Sequence, residues 1–350
     1  MNITFLIGNG FDVGLGLKTR YPDFLENYLG AETKSQSIFL LKDFLSKKHK
    51  LDYWFNLELV LGESTAIYKR PSDFLEAYED ISNELRLYIE KQGRLVHGSD
   101  ETRKIICNNL ADPFSLFNDR DISLLLDYLN RFNNNNINSI DWNVNVLTYN
   151  YNYVFEELLN CNPSAAIFEK KNILGGTIRL KSVKHAHGDC DGTIVLGVND
   201  TSQIANEEFR KQDIILNALM KSKSKIASGD LDLTDCANLI RDSNIICCYG
   251  LSLSLTDSYW VSLMAQRLMS NDCRLLLFEY DKDGAIEKIL KHSKYRSAEF
   301  ENNFKENLLS SVSSDVLSRI DKSGVKTHIF ATAKKGLFDF SGTKFLTNKL

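Results

Sequence analysis

The sequence predicts an α/β fold: a Rossmann-type parallel sheet with helices on both faces and a helical insertion after the first strand. Three observations carry this. Short apolar runs, Ile3-Thr4-Phe5-Leu6-Ile7, Val144-Asn145-Val146-Leu147-Thr148 and Ile245-Ile246-Cys247-Cys248-Tyr249, have the length and composition of buried strands. Stretches with apolar residues at helical spacing separate them. The runs end in loops rich in glycine or polar side chains, as strands of an open α/β sheet do where ligands bind.

The first strand enters Gly8-Asn9-Gly10-Phe11-Asp12. Glycine there allows a sharp turn and close approach of a ligand to backbone N–H groups. Donors at the start of a following helix favour anionic oxygens, so phosphate is the first ligand to consider. The spacing departs from the dinucleotide fingerprint. Val13 stands at the third glycine position, Gly14 comes one residue late, and no acidic residue closes a second strand about 20 residues on.

Residues 13–24 hold Gly14, Gly16 and Pro22 and read as a loop over the first turn, with Asp23 as the N-cap of a helix from Phe24. From 35 to 131 the pattern is helical. Ile38, Leu41, Phe44 and Leu45 share one face, as do Phe74, Ala77, Ile81, Leu85 and Tyr88, and Pro71 suits a first helical turn. Trp54, Leu57 and Leu61 recur at the same spacing. Trp54 and Glu58 stand four residues apart and read as a core aromatic and a surface acid, with a pair pointing toward the site as the alternative. Asp112-Pro113 starts a connection, and Asn133 to Asn136 open an asparagine-rich linker.

After strand 144–148 come Tyr149-Asn150-Tyr151-Asn152-Tyr153 and a helix at 154–160. Ile167-Phe168, the run 183–188 and the run 193–200 read as further strands. Residues 209–225 read as a helix whose Lys221, Lys223 and Lys225 are solvated charges. Strand 245–249 runs into the 250–257 loop and a helix at 259–269. A strand at 274–280, a polar helical stretch at 285–319 and a last strand near 326–331 follow, and the tail after 334 reads as loose. The resulting division is 1–34 first strand, glycine loop and covering segment, 35–138 helical insertion, 139–334 remainder of the core, and 335–350 C-terminal tail.

Composition narrows the function. The 350 residues suffice for one large or two modest domains. A net charge of −4 gives no basic field to recruit nucleic acid or an anionic membrane, and no apolar run approaches the ~20 residues of a span. The N-terminus lacks a basic leader and reads as a buried strand rather than a signal peptide. The seven cysteines are odd in number, scattered and without a Cys-x-x-Cys pair, so neither a disulfide framework nor zinc is expected, and a reducing cytoplasm is. No clustered carboxylate metal site supports a nuclease.

Four strand ends carry unusual loops: 8–12, 148–152, 187–188 and 250–257. In a parallel sheet they open on one edge. Backbone donors, the Asn150 amide, the His187 imidazole and a second Gly-Ser loop then surround one crevice. His185 lies on the same strand face as His187 and reads as a packing or supporting residue. Tyr149, Tyr151 and Tyr153 pack, or stack on a base.

These motifs resemble a known family. Gly8-Asn9-Gly10-Phe11-Asp12 with Leu17, Tyr21 and Phe24, Trp54-x-x-x-Glu58, Asn150-Tyr151, His187-Gly188, Gly197 and Tyr249-Gly250-x-Ser252-Leu253-x-x-x-Asp257 are similar, in order, to the AbiH family of phage abortive-infection proteins. That family in turn resembles sirtuin-like NAD-binding proteins. Gly8-Asn9-Gly10 and Pro22-Asp23-Phe24 are similar to the sirtuin Gly-Ala-Gly and Pro-Asp-Phe elements. Residues 148–152 are similar to Thr-Gln-Asn-Ile-Asp, His187-Gly188 to the catalytic His-Gly, and residues 250–253 to Gly-Thr-Ser-Leu. The paired zinc cysteines are absent, and Asn152 replaces the last aspartate of its motif. Both count against a deacylase.

The resemblance therefore implies a cytoplasmic anti-phage effector with a sirtuin-like core that hydrolyses NAD at the nicotinamide–ribose bond. Asn150 and His187 would be catalytic. Gly8, Asn9, Gly10, Asp12, Thr148, Gly250, Ser252 and Asp257 would bind the nucleotide, with no metal. Asp12 caps the helix or bonds a ribose hydroxyl; beside phosphate it would be repulsive. Such an effector needs restraint before infection, by the helical insertion or an oligomeric contact, and a phage-derived trigger. The alternative is a nucleotide-binding sensor or interaction module without catalysis.

Overall fold

A computed structural model describes residues 1–49, 56–131, 140–160, 167–172, 175–192, 194–221, 223, 232–251, 257–270, 272–278, 329–332 and 337–346. Trp54, Ser252, Lys225, the asparagine-rich linker, the 285–319 stretch and the end of the 274–280 strand lie outside these residues.

Seven strands form one sheet: β1 (Asn2–Ile7), β2 (Trp142–Thr148), β3 (Ile167–Lys171), β4 (Thr177–His185), β5 (Ile245–Tyr249), β6 (Arg274–Phe278) and β7 (Ile329–Thr332). Their order is β3-β4-β2-β1-β5-β6-β7. Six run parallel, and edge strand β3 is antiparallel to β4. The expected parallel α/β sheet is therefore present. From β1 the chain moves to β2 and β4 on one side, then returns to β5 on the other. That reversal makes the C-terminal ends of β1 and β5 a switch point, where ligands of such sheets bind.

Every residue of β5 and β6 is buried, as continuous apolar parallel strands require when both faces are covered. On one face Ile3, Phe5 and Ile7 pack with Ile106 and Leu110 of α6 (Asp100–Ala111) and Leu125 and Leu129 of α7 (Asp119–Asn130). On the other, Leu6, Ile246 and Cys248 pack with Ala237 and Ile240 of α10 (Asp232–Arg241) and Val261 and Met264 of α11 (Ser258–Leu268).

A second core lies beside the sheet. It joins α2 (Tyr21–Gly30), α3 (Gln36–His49), α4 (Leu57–Ser64) and α5 (Pro71–Gly93) to residues 190–219, including α9 (Asp213–Leu219). The stretch read as one insertion, 35–138, thus contributes to both cores. Pro71 opens α5, and Phe74, Ala77, Ile81 and Leu85 are buried at the spacing that predicts them.

Some local expectations are corrected. Arg20, not Asp23, is the N-cap of α2, and Asp23 sits in its first turn, accepting from the Arg20 N–H at 3.3 Å. Residues 194–200 form no strand. Val198 makes only an isolated bridge to Met220, so α9 ends at Leu219 rather than continuing as helix. The C-terminal segment is not loose where it is described: Leu337, Phe338 and Phe340 are buried in the sheet core, around Phe11.

Candidate functional site

Register aligns the four strand ends. Ile7 pairs with Thr148 and with Tyr249, and Thr148 pairs with His185. The residues that follow, Gly8, Tyr149, Ala186 and Gly250, therefore leave the sheet side by side, and the loops meet as expected.

The glycines bring backbone against backbone. Gly8 N–H donates to Tyr249 O and Gly10 N–H to Gly250 O, both at 2.9 Å. A Cβ on Gly10 would stand 2.5 Å from Gly250 Cα, and Gly250 itself has φ +66°. The 8–12 and 250–251 loops are thus in direct contact, and the N–H groups of Gly8 and Gly10 are engaged there. Asn9 ties the loop to the covering segment: its amide donates to Thr19 O at 3.0 Å and accepts from the Thr19 hydroxyl at 2.6 Å.

Asp12 is 1 % exposed on the short helix α1 (Gly10–Gly14) and organises the β2 end. Asn150 donates to one of its oxygens at 2.9 Å and Asn152 to the other at 2.6 Å. The Asn152 amide oxygen accepts from Val154 N–H at 3.3 Å, at the start of α8 (Val154–Leu159), and the Thr148 hydroxyl accepts from Asn150 N–H at 3.1 Å. Burial pushes the Asp12 carboxyl up to about 7, although the Asn152 and Asn150 hydrogen bonds oppose the rise.

His185 fixes the backbone there. Its Nδ1 lies 2.8 Å from Asn150 O and its Nε2 3.1 Å from Glu156 Oε1. Burial works against its charge, but Glu156 outweighs that and holds the imidazole above its ordinary value. The supporting role read for His185 matches this geometry.

His187, on the turn after β4, is 7 % exposed. Tyr149 meets its ring edge-on at 5.3 Å between centroids, and Tyr151 lies at 6.5 Å. Its Nε2 stands 3.4 Å from Asp257 Oδ1. Lys221 Nζ lies 3.1 Å from the same oxygen and 2.9 Å from Glu58 Oε1 on α4.

Two readings of the sequence are overturned here. Glu58 is 5 % and Lys221 8 % exposed, a buried ion pair rather than a surface acid and a solvated charge. Lys223 does stay half-exposed, 3.6 Å from Asp213. Burial opposes the charge of Lys221, but Asp257 and Glu58 outweigh it and hold the ammonium above its ordinary value. Helical spacing gave no signal for the pair, because Lys221 follows the end of α9 and reaches Glu58 only through the fold.

The neighbouring strand ends thus carry two groups, Asp12 with Asn150, Asn152 and Thr148, and His187 with Asp257, Lys221 and Glu58, while Gly8 and Gly10 contact the Tyr249–Gly250 backbone. Tyr149 adds a buried hydroxyl with no hydrogen-bond partner among the described residues, whereas the Tyr151 hydroxyl donates to Val195 O at 3.3 Å and is also hydrogen-bonded to Tyr21.

Residues 4–280 match the family model described as bacteriophage abortive infection AbiH. The chain belongs to the AbiH family. No curated protein matches it. The family match supports a role in bacteriophage abortive infection. In this AbiH chain no described helix is long and apolar enough to cross a membrane. Among the described residues no group of three or more His, Cys, Asp or Glu is arranged to hold a metal ion.

Proposed function

We propose that this AbiH protein acts in abortive infection by hydrolysing NAD, or a related nucleotide, at the nicotinamide–ribose bond. The observation that carries the reading is the burial, at neighbouring strand ends, of Asn150, His187 and a Tyr149 hydroxyl that has no partner among the described residues. A buried polar atom without a partner is costly unless a ligand or water completes it.

The residue types suit the chemistry. As the bond from ribose C1′ to nicotinamide breaks, positive charge builds on the ribose, and nicotinamide leaves with the bonding electrons. Water forms the new C1′–O bond and its proton passes to His187. One Asn150 N–H is spent on Asp12. Its carbonyl oxygen and second N–H remain to orient the water or a ribose hydroxyl. A proton on Asp12, favoured by burial, removes the repulsion its carboxylate would present to phosphate.

A second reading, nucleotide sensing without cleavage, is favoured by a different observation. Gly8 and Gly10 already donate to Tyr249 and Gly250, and Asn150 and His187 are only 8 % and 7 % exposed. A pyrophosphate reaches those donors only if the two loops part. The same engagement would restrain an effector before infection.

The NAD content of phage-infected cells separates the two readings. Cells carrying the wild-type chain should lose NAD after infection, and cells carrying folded His187→Ala should not. Equal protection by both chains with NAD unchanged would favour the sensor.

A further inference from the structure

Lys221, Glu58 and Asp257 form a chain of charges that ends at His187, and it comes from three separate parts of the fold. Glu58 stands on α4, Lys221 follows α9, and Asp257 is the N-cap residue of α11. Asp257 makes no side-chain cap to that helix. Its carboxylate faces Lys221 and His187 instead, at 3.1 and 3.4 Å.

Burying three charges is expensive, and it is tolerated only where they compensate one another. Here the count is unequal. Among the described residues two carboxylates face one ammonium, so these three side chains together carry one negative charge, which a proton on His187 balances. Among the described residues the other titratable groups facing His187 are the phenols of Tyr149 and Tyr151, with Tyr21 bonded to the latter. Burial raises all three well above the ordinary phenol value, so they stay neutral. His185 and Glu156 pair with each other two residues away along β4.

We propose that Asp257 is a positioning residue for His187 rather than a nucleotide ligand, and that the buried Lys221–Glu58 pair sets how strongly it stabilises the imidazolium. The proposal rests on the reading of His187 as the proton acceptor. Asp257 would hold one ring nitrogen and stabilise the charge that develops when the ring takes a proton. Lys221 divides the attention of Asp257, which keeps His187 from being permanently charged. Glu58 in turn compensates Lys221, and links α4 to the site.

The test is an NMR titration of the His187 ring in the full chain, with the assignment made by loss of the signal in His187→Ala. Asp257→Asn should lower the midpoint by about one pH unit, since it removes an opposite charge 3.4 Å from the ring. Lys221→Met should raise it, because Asp257 then faces His187 without the ammonium 3.1 Å away that offsets its charge. Opposite directions are the signature, for a merely structural role gives no reason for a sign change. If Lys221→Met does not fold, the charge-balanced Glu58→Gln/Lys221→Gln double variant should raise the midpoint too. An unmoved midpoint in Asp257→Asn, or shifts of one sign in both variants, would overturn the proposal. The readout needs no turnover. Absence of NAD cleavage with the opposed shifts intact would count against the proposed function and leave the charge chain standing.

Discussion

Asn152 donates to Asp12 across 2.6 Å, between two side chains that are 4 % and 1 % exposed. The sirtuin motif to which residues 148–152 are similar carries an aspartate where this chain has Asn152. A second carboxylate here would face the first with no water between them. Asn152→Asp should therefore cost about 2–4 kcal/mol at pH 8. The deficit should shrink toward pH 5, where one carboxyl is protonated and donates to the other. Denaturant unfolding at the two pH values checks this, and a deficit independent of pH would argue against it.

Asp12 makes a pH prediction of its own. Its carboxyl is raised from 3.8 to about 7 in the folded chain. Between those values the folded state holds a proton that the unfolded state releases. Its contribution is thus fully present below about pH 4 and is lost as pH rises toward 7. Asp12→Asn removes that dependence. The stability of the wild type minus that of the variant should fall over this window, by at most about 1.4 kcal/mol per pH unit. A difference that rises with pH would contradict the burial of Asp12.

The loop contact predicts the cost of a single methyl. A Cβ on Gly250 would meet Gly10 Cα at 2.7 Å and Phe11 N at 2.8 Å, on a backbone with φ +66°. Neither obstacle is a flexible side-chain end. Gly250→Ala should cost about 2–4 kcal/mol and part the loops. A cost under about 0.5 kcal/mol would mean that the loops are not in contact.

Phe338 packs edge-on against Phe11 at 5.5 Å and against Phe155 and Tyr249 at 6.0 and 5.7 Å. It therefore supports the glycine loop from behind. Phe338→Ala should cost about 3–5 kcal/mol and speed amide hydrogen exchange at residues 8–12. Unchanged exchange there would separate the C-terminal segment from the site.

The sheet was legible because buried parallel strands are written as short continuous apolar runs, β5 above all. The four loops were legible because strand ends must turn, and glycine and asparagine mark the turns. What escaped was long-range. Lys221 sits among lysines spaced as if on a surface, and only the bridge of Val198 to Met220 turns it inward. Glu58 has the position of a solvated acid on α4, and its partner lies 163 residues away. The run 194–200 is apolar enough for a strand, but it packs into the second core through Leu196 and Val198 instead. Phe338 and Phe340 lie in a short segment without periodicity, so nothing local predicted their burial.

The proposed activity is NAD hydrolysis by Asn150 and His187. The most direct test is nicotinamide release from NAD by the purified chain, beside Asn150→Ala and His187→Ala. Release is expected from the wild type and from neither folded variant. Release that persists undiminished in both variants would contradict it, because the chemistry would then lie elsewhere in the molecule.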